Sequence, residues 1–125
     1  MENLVNVLAV DDDVINLKLV EMMLKKHGSI GEIIKAPNGL EALNILTQRK
    51  DIGIILLDIV MPVMNGLEFL DNSQVKSLIK NIPVIVLTTD ETTKKDSLSK
   101  GANDFLTKPI TEKLLFEKIN NFIAL

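Results

Sequence analysis

Residues suited to chemistry occur at four widely separated points of the chain. Three consecutive aspartates, Asp11–Asp13, follow one short apolar run, and Asp58 follows another. A hydroxyl, Thr88, and an ammonium, Lys108, follow two more. Two unit charges about 4 Å apart repel by roughly 4 kcal/mol at an effective dielectric constant near 20. Carboxylates brought together from the first two of these points would therefore need a cation between them.

The chemistry that such a set would support is phosphoryl transfer. The chain has no cysteine and only one histidine, so the donors would all be oxygens. A few carboxylates with open coordination positions suit Mg²⁺, with Mn²⁺ as a substitute. A metal, an ammonium and a hydroxyl together match the charge that spreads over the oxygens of a transferring phosphoryl group. One carboxylate left free to attack would form an aspartyl phosphate.

The runs that precede these residues predict buried strands. Residues 4–10, 52–57 and 82–87 are nearly continuous in Val, Ile and Leu, which is typical of parallel strands covered on both faces. A shorter run covers 104–107, and a weaker strand candidate covers 32–36. In a doubly wound sheet, ligands bind beyond the carboxyl ends of the strands. All four chemical groups lie at such ends.

Helical periodicity separates the predicted strands. Residues 14–26 carry one apolar stripe, and Asn38 and Asn65 each open an Asn-Gly-Leu-Glu signal that resembles a capping box. The segment near 92–100 is nearly all polar, with Leu98 as its one large apolar residue. Five strand–helix repeats predict an α/β fold, a single doubly wound (βα)5 domain with a parallel five-stranded sheet and helices on both faces.

Composition excludes several classes of protein. Lys and Arg total 14 against 17 Asp and Glu, a net charge of −3, which argues against a nucleic-acid-binding surface. No apolar run approaches the roughly 20 residues of a membrane span. The N-terminus, Met1–Asn3, lacks the basic start of a signal peptide. We expect a cytoplasmic protein without a nucleic-acid or membrane partner.

Taken in order, the motifs resemble the receiver domain of bacterial two-component response regulators, of the chemotaxis-regulator type. The resemblance covers essentially the whole chain. It rests on VDDD at 10–13, LDIVMP at 57–62, NG at 65–66, LTT at 87–89, GANDF at 101–105 and LTKPI at 106–110. It implies one receiver domain over residues 1–125, with a flavodoxin-like fold and strand order 2-1-3-4-5.

The resemblance also implies which residues bind the metal and the phosphoryl group. Asp58 matches the phosphoacceptor, Asp12 a direct Mg²⁺ ligand, and Asp11 an acidic residue that acts largely through water. The backbone carbonyl of Val60 matches a further metal ligand. Asp13 is expected to cap the first helix instead, because Asp is common at helix starts.

Three further positions are matched on the other side of the expected pocket. Thr88 matches a hydroxyl and Lys108 an ammonium that each bind a phosphoryl oxygen. The bond between Lys108 and Pro109 is expected to be cis, as in the family. Phe105 occupies the position of an aromatic switch residue, coupled in the family to the threonine loop.

The function implied by the resemblance is a phosphorelay switch. A sensor histidine kinase or phosphotransfer protein would donate the phosphoryl group to Asp58. The domain would catalyse its own transfer and lose the group slowly, without being an enzyme. A downstream protein target or output domain would bind the α4-β5-α5 face, formed by the last two helices of the five repeats and the last strand.

Three alternatives remain at this point. A flavodoxin-like electron carrier shares the architecture, but the carboxylates would repel a flavin phosphate, and the chain has no Trp or Tyr to stack on a flavin. A phosphatase with an Asp-x-Asp motif would need more chain to cover its substrate. A degenerate receiver that only binds a partner would not require the full set of acceptor, acidic pair, hydroxyl and lysine.

Overall fold

Five parallel strands form one sheet in the order β2-β1-β3-β4-β5. The computed structural model describes residues 4–123. Met1–Asn3, from which a signal peptide was predicted to be absent, lies outside the described residues. In chain order the strands are β1 (Val5–Val10), β2 (Ile30–Ala36), β3 (Ile52–Leu57), β4 (Val84–Thr88) and β5 (Asp104–Thr107). The predicted doubly wound α/β fold and its strand order are confirmed.

Within residues 4–123, five helices connect the strands and a sixth follows β5. They are α1 (Val14–Leu24), α2 (Gly39–Gln48), α3 (Gly66–Asp71), α4 (Ser73–Leu78), α5 (Lys94–Ser99) and α6 (Glu112–Asn120), and a 3-10 turn, Glu91–Thr93, precedes α5. One helix was expected in the third crossover, but two are present. Asn72 ends α3, and its side chain accepts hydrogen bonds from Gln74 N and Val75 N to begin α4. None of the helices in this part of the chain is long and apolar enough to cross a membrane.

Apolar side chains bury both faces of the sheet. Phe69 and Leu70 of α3 pack on one face, and Leu24 of α1 packs on the other with Leu115 and Ile119 of α6. All five are fully buried. Complete burial of each such side chain contributes about 1.5–3 kcal/mol. Packing on both faces therefore holds the carboxyl ends of the strands in fixed positions.

Helix α5 has a weak attachment to the sheet. Leu98, its one large apolar residue, is 40% exposed, and the only buried residue of the helix is Ser97. Neighbouring helical positions point about 100° apart, so burying Ser97 directs Leu98 towards solvent. Thr93, at the start of α5, makes no side-chain capping hydrogen bond. Leu98, the one large apolar residue that the sequence offers for packing this helix, is therefore only partly buried.

We expect Ser97→Ala to raise the free energy of unfolding by about 1 kcal/mol, because a buried unpaired polar group costs about 1–3 kcal/mol. The Ser97 hydroxyl is fully buried and has no hydrogen-bond partner within residues 4–123. Urea denaturation measures the change. The matched control is Ser99→Ala, which removes an exposed hydroxyl that donates to Asp96 O and should alter stability by under about 0.5 kcal/mol. A loss of stability in Ser97→Ala would contradict the prediction.

Candidate functional site

Two acidic residues meet because β1 and β3 are neighbours in the sheet. Asp11 follows β1 directly and Asp58 follows β3, and the last residues of the two strands, Val10 and Leu57, pair with each other. The Asp58 backbone N–H donates to the Val10 carbonyl at 2.9 Å. The carboxyl ends of parallel strands lie at the same edge of a sheet, so Asp11 and Asp58 are neighbours at that edge.

Asp11, Asp12 and Asp58 form an acidic cluster. Each offers a carboxylate oxygen, and these oxygens lie within 4.8 Å of one another. Asp11 and Asp58 are buried, whereas Asp12 is exposed. One oxygen of Asp11 accepts from Asp13 N, and one oxygen of Asp58 accepts from Ile59 N. The cluster is therefore held from the inside and open to solvent at Asp12.

Lys108 reaches the same cluster from the end of β5. Its Nζ lies 2.9 Å from Asp11 Oδ2 and 3.6 Å from Asp58 Oδ2. Its backbone N–H donates to the carbonyl of Thr88, and the Lys108–Pro109 peptide bond is cis. The side chain is 15% exposed, so the ion pairs are shielded from solvent. One ammonium thus pairs with two of the three carboxylates, Asp11 and Asp58.

The environment of Asp58 favours a carboxyl that holds its proton more tightly than usual. Burial raises the pKa of Asp58 from its ordinary value of 3.8 to about 6, with a further contribution from the charge of Asp11. Lys108 and the backbone N–H groups of Ile59 and Val60 oppose this shift. With a pKa near 6, Asp58 is still mainly ionised at neutral pH.

The other predicted residues surround the cluster at different depths. Thr88 ends β4, next to β3, and is fully buried, and its hydroxyl oxygen accepts from Asp90 N at 3.3 Å. Val60 lies in the loop after Asp58 with its side chain 63% exposed. Phe105 lies on β5, where it pairs with Val86 of β4, and its side chain is buried in the core with residues of α2–α4. Thr88 thus lies at the carboxyl end of β4, on the same edge of the sheet as the cluster, whereas Phe105 belongs to the core.

Asp13 does not belong to the acidic cluster. Its side chain accepts hydrogen bonds from Ile15 N at 2.9 Å and Asn16 N at 3.4 Å. These bonds satisfy free N–H groups at the start of α1. The prediction that Asp13 caps the helix agrees with this geometry, and two of the three consecutive aspartates remain for the cluster.

The loop after Asp58 has a constrained shape that the sequence did not predict. Val63 has a φ of +67°, and Met64 N donates to Pro62 O at 2.8 Å, which closes a three-residue turn. A β-branched residue rarely adopts this conformation, and Gly or Asn would have been the sequence signal for it. A Cβ on Gly66 would lie 2.5 Å from the Asp58 carbonyl oxygen, so only glycine fits there without displacement.

The acidic cluster has the donor chemistry of a hard divalent cation. All its donors are carboxylate oxygens, which Mg²⁺ prefers over nitrogen or sulfur ligands. With Asp58 ionised, the cluster carries three negative charges and Lys108 supplies one positive charge, so a charge of −2 remains to be balanced. The exposed position of Asp12 gives access to an ion that keeps several of its waters. The residues present therefore fit such an ion.

Comparison with known proteins decides the family. Residues 7–120 match the model of the response regulator receiver domain. The chain belongs to this family. The acidic cluster at the strand ends is thus part of a receiver domain of two-component signalling. The alternatives of an electron carrier and a phosphatase are not favoured.

Three similar proteins support this membership. It is 37% identical over 120 residues to Protein PilH of Pseudomonas aeruginosa, covering 94% of this chain and 97% of PilH. A chain of the CheX–CheY–BeF3–Mg complex from Borrelia burgdorferi has a TM-score of 0.82 and 32% identity, covering 96% and 90%. The co-crystal structure of Saccharomyces cerevisiae Ypd1 with the receiver domain of Ssk1 has a TM-score of 0.84 and 30% identity, covering 98% and 90%.

Proposed function

We propose that this receiver domain accepts a phosphoryl group on Asp58 in a Mg²⁺-dependent reaction. The donor would be the phosphohistidine of a sensor histidine kinase or a phosphotransfer protein. The observation that carries the proposal is the location of the buried Asp58 carboxyl beside two other carboxylates and the ammonium of Lys108. The solved complex of a related CheY with BeF3 and Mg supports the choice of ion.

In the proposed step, a carboxylate oxygen of Asp58 attacks the phosphorus atom of the donor. An O–P bond forms as the N–P bond to the donor histidine breaks, and the imidazole nitrogen keeps the electron pair and takes a proton. One Asp58 oxygen accepts from Ile59 N, which fixes the orientation of the carboxylate. Because its pKa is about 6, Asp58 is ionised at neutral pH and more basic than an exposed aspartate.

Lys108 and Thr88 would bind the phosphoryl oxygens. The Lys108 ammonium already lies near an Asp58 oxygen, so it is positioned to balance charge on a group attached there. The Thr88 hydroxyl would donate to a second oxygen. Asp11, Asp12 and Asp58, with the backbone carbonyl of Val60, would hold the metal, and Mg²⁺ or Mn²⁺ would stabilise negative charge on the transferring group.

We further propose that the domain is a switch and not an enzyme. It would catalyse one transfer to itself and then lose the group slowly by hydrolysis. Val60, two residues after Asp58, has an exposed side chain that offers no hydrogen bond to an attacking water. Recruitment of Thr88 to the phosphoryl group would be coupled to Phe105, which is buried one strand away.

The output surface would be the face formed by α5, β5 and α6, which corresponds to the expected α4-β5-α5 face with the helices renumbered. Helix α5 is weakly attached to the sheet, so a small change in free energy at the acidic cluster can shift the helix between alternative conformations. Leu98 of α5 and Leu114 of α6 are 40% and 45% exposed. A downstream protein or output domain would contact these side chains.

The donor protein would dock on α1, beside the pocket. Four large apolar side chains of this helix are exposed: Val14, Ile15, Leu19 and Met22. The first two are 77% and 71% exposed and follow the acidic cluster directly in sequence. An apolar surface at the rim of the pocket would allow a partner to present its phosphohistidine to Asp58.

Substituting Ile15 with Glu is expected to slow phosphoryl transfer from a donor protein by at least about tenfold, because it would place an unpaired charge in an apolar contact. Labelling by acetyl phosphate, which needs no docking surface, should stay within about twofold of the wild type. Transfer is measured from a phosphohistidine protein that labels the wild type. Leu40→Glu on α2, also at an exposed leucine, is the control and should slow neither reaction. Equal slowing by both substitutions would argue against α1 as the docking surface.

The proposed function is tested by incubating the protein with acetyl phosphate and Mg²⁺ and following its intact mass. The expected result is a gain of one phosphoryl group per chain, which is absent when a chelator replaces the metal. The label should disappear under mild alkaline hydrolysis, as expected of an acyl phosphate. No mass gain, or continuous hydrolysis of acetyl phosphate without a labelled chain, would contradict the proposal.

A further inference from the structure

Two grooves lie at the edge of the sheet opposite the acidic cluster. Both include residues 80–82, which belong to the turn between α4 and β4. The first has a volume of about 430 Å³ and extends from α4 to the turn before β5. The second has a volume of about 450 Å³ and extends from α4 to the end of α2. Together we call them the basic grooves.

The basic grooves concentrate positive charge in a chain with a net charge of −3. Their lining includes five cationic residues and no acidic residue among those the structure describes. The cationic residues are Arg49, Lys50, Lys76, Lys80 and Lys100. A cluster of like charges without intervening carboxylates attracts an anionic ligand and costs stability when nothing balances it.

Three of these cations have no carboxylate partner within residues 4–123. Lys76 Nζ donates to the Lys100 carbonyl at 3.1 Å, and Lys50 Nζ lies 3.5 Å from the Leu46 carbonyl. Lys80 is exposed and makes no ion pair in this part of the chain. Three ammonium groups are therefore available to a ligand.

The other two cations are already paired outside the grooves. Lys100 binds Asp71 at 2.6 Å, and Arg49 binds both Glu32 and Asp51. Neither Asp71 nor the two partners of Arg49 lines a groove. These pairs hold the walls of the grooves in place and leave the three other ammonium groups as the binding charges.

Apolar side chains lie between the charges. Ile79 and Ile82 line the first groove with Phe122, and Leu46 lines the second. Ile79 and Leu46 are 9% and 2% exposed, so they form a floor and not a protruding surface. A matching ligand carries several negative charges together with apolar groups that enter a depression.

We propose that the basic grooves bind an acidic polypeptide segment of a partner protein. Glu or Asp side chains of that segment would pair with Lys50, Lys76 and Lys80, and its apolar side chains would contact the floor. The site lies at the amino ends of β4 and β5, away from the acidic cluster at the carboxyl ends. The inference does not depend on phosphorylation of Asp58.

A nucleic acid or a membrane fits these grooves less well. Arg49 is the only arginine of the chain and is held by two carboxylates, and Phe122 is the one aromatic side chain that lines either groove. Nucleic-acid surfaces combine basic residues with several stacking platforms. None of the large apolar residues that are exposed lines a groove, so an apolar wedge for a lipid surface is missing from the described residues.

The test is an NMR titration of the ¹⁵N-labelled chain with a peptide of alternating Glu and Leu residues. Saturable shifts are expected in residues 76–83, in 100–103 and at the end of α2, and added salt should weaken them. The same peptide with Lys in place of Glu is the ligand control and should cause no saturable shifts in these residues. Absence of saturation up to millimolar peptide, or shifts centred elsewhere, would overturn the proposal.

Charge reversal locates the site. The double substitution Lys76→Glu and Lys80→Glu is expected to weaken peptide binding by at least about tenfold, against under about twofold for Lys94→Glu with Lys95→Glu on α5. Both variants carry the same change in net charge. Equal weakening by both would show general electrostatic attraction and overturn the proposal. If the first variant fails to fold, Lys76→Gln with Lys80→Gln replaces it.

Two competing ligands complete the experiment. A single-stranded oligonucleotide and vesicles containing phosphatidylserine are titrated under the same conditions. Weaker binding of both than of the acidic peptide is the expected result. Tighter binding of either one at residues 76–83 would replace the polypeptide partner with a nucleic acid or a lipid surface and so overturn the proposal.

Discussion

Replacing Lys108 with Ala is expected to slow labelling by acetyl phosphate about 100-fold and to lower the free energy of unfolding by about 3 kcal/mol. The ammonium lies 2.9 Å from Asp11 and 3.6 Å from Asp58, both of which are buried. Without it, two buried carboxylates lose their cation, and the phosphoryl oxygens lose a charged donor. Intact-mass time courses with Mg²⁺ measure the labelling rate. Urea denaturation in the presence of a chelator measures the free energy of unfolding.

Two further variants separate charge from geometry at this position. Lys108→Arg retains the positive charge, so it should recover most of the stability, whereas its planar guanidinium should not restore the rate. Lys94→Ala removes an exposed lysine of α5 and should change neither quantity. Labelling at the wild-type rate in Lys108→Ala would show that Lys108 has no part in the transfer.

Asp58→Asn is expected to raise the free energy of unfolding on the order of 2 kcal/mol at pH 8 and to have little effect near pH 4. Burial raises the pKa of Asp58 to about 6 from 3.8, so the folded state binds this proton more tightly than the unfolded state. The protonated carboxyl therefore favours folding below about pH 4, and this contribution is lost as the pH rises through about 6. Asparagine carries no charge and can still accept from Ile59 N.

The measurement is urea denaturation from pH 4 to pH 8 in the presence of a chelator. Asp96→Asn, at an exposed position of α5, serves as the control and should show under about 0.5 kcal/mol of change across this range. A gain in Asp58→Asn that is the same at all pH values would contradict a raised pKa. Destabilisation at pH 8 would show that the ionised carboxylate favours folding.

The carboxyl edge of the sheet could be predicted because its signals are local. Near-continuous runs of Val, Ile and Leu identify strands that are buried on both faces, and neighbouring parallel strands bring the residues after their carboxyl ends to one edge. Asp11 and Asp58 meet for this reason, and Lys108 reaches them from β5. The Asp13 cap is an equally local feature, because Asp at a helix start binds free N–H groups.

Other features depend on packing that no local pattern encodes. Asn72 divides the third crossover into two helices, although asparagine also occurs inside single helices. Val63 adopts a positive φ that its sequence type disfavours, because the surrounding loop determines its backbone. Leu98 is exposed and Ser97 buried, which depends on the rotation of α5 against the sheet and not on hydrophobicity. The burial of the Phe105 side chain likewise depends on how the helices pack on β5.

The role of Asp58 as phosphoacceptor is tested by the intact mass of the wild type and of Asp58→Asn after incubation with acetyl phosphate and Mg²⁺. One added phosphoryl group is expected in the wild type and none in the variant, and borohydride reduction of the labelled wild type should alter residue 58 alone. Equal labelling of the two proteins, or a modification that maps to another residue, would contradict the assignment of Asp58 as the phosphoacceptor.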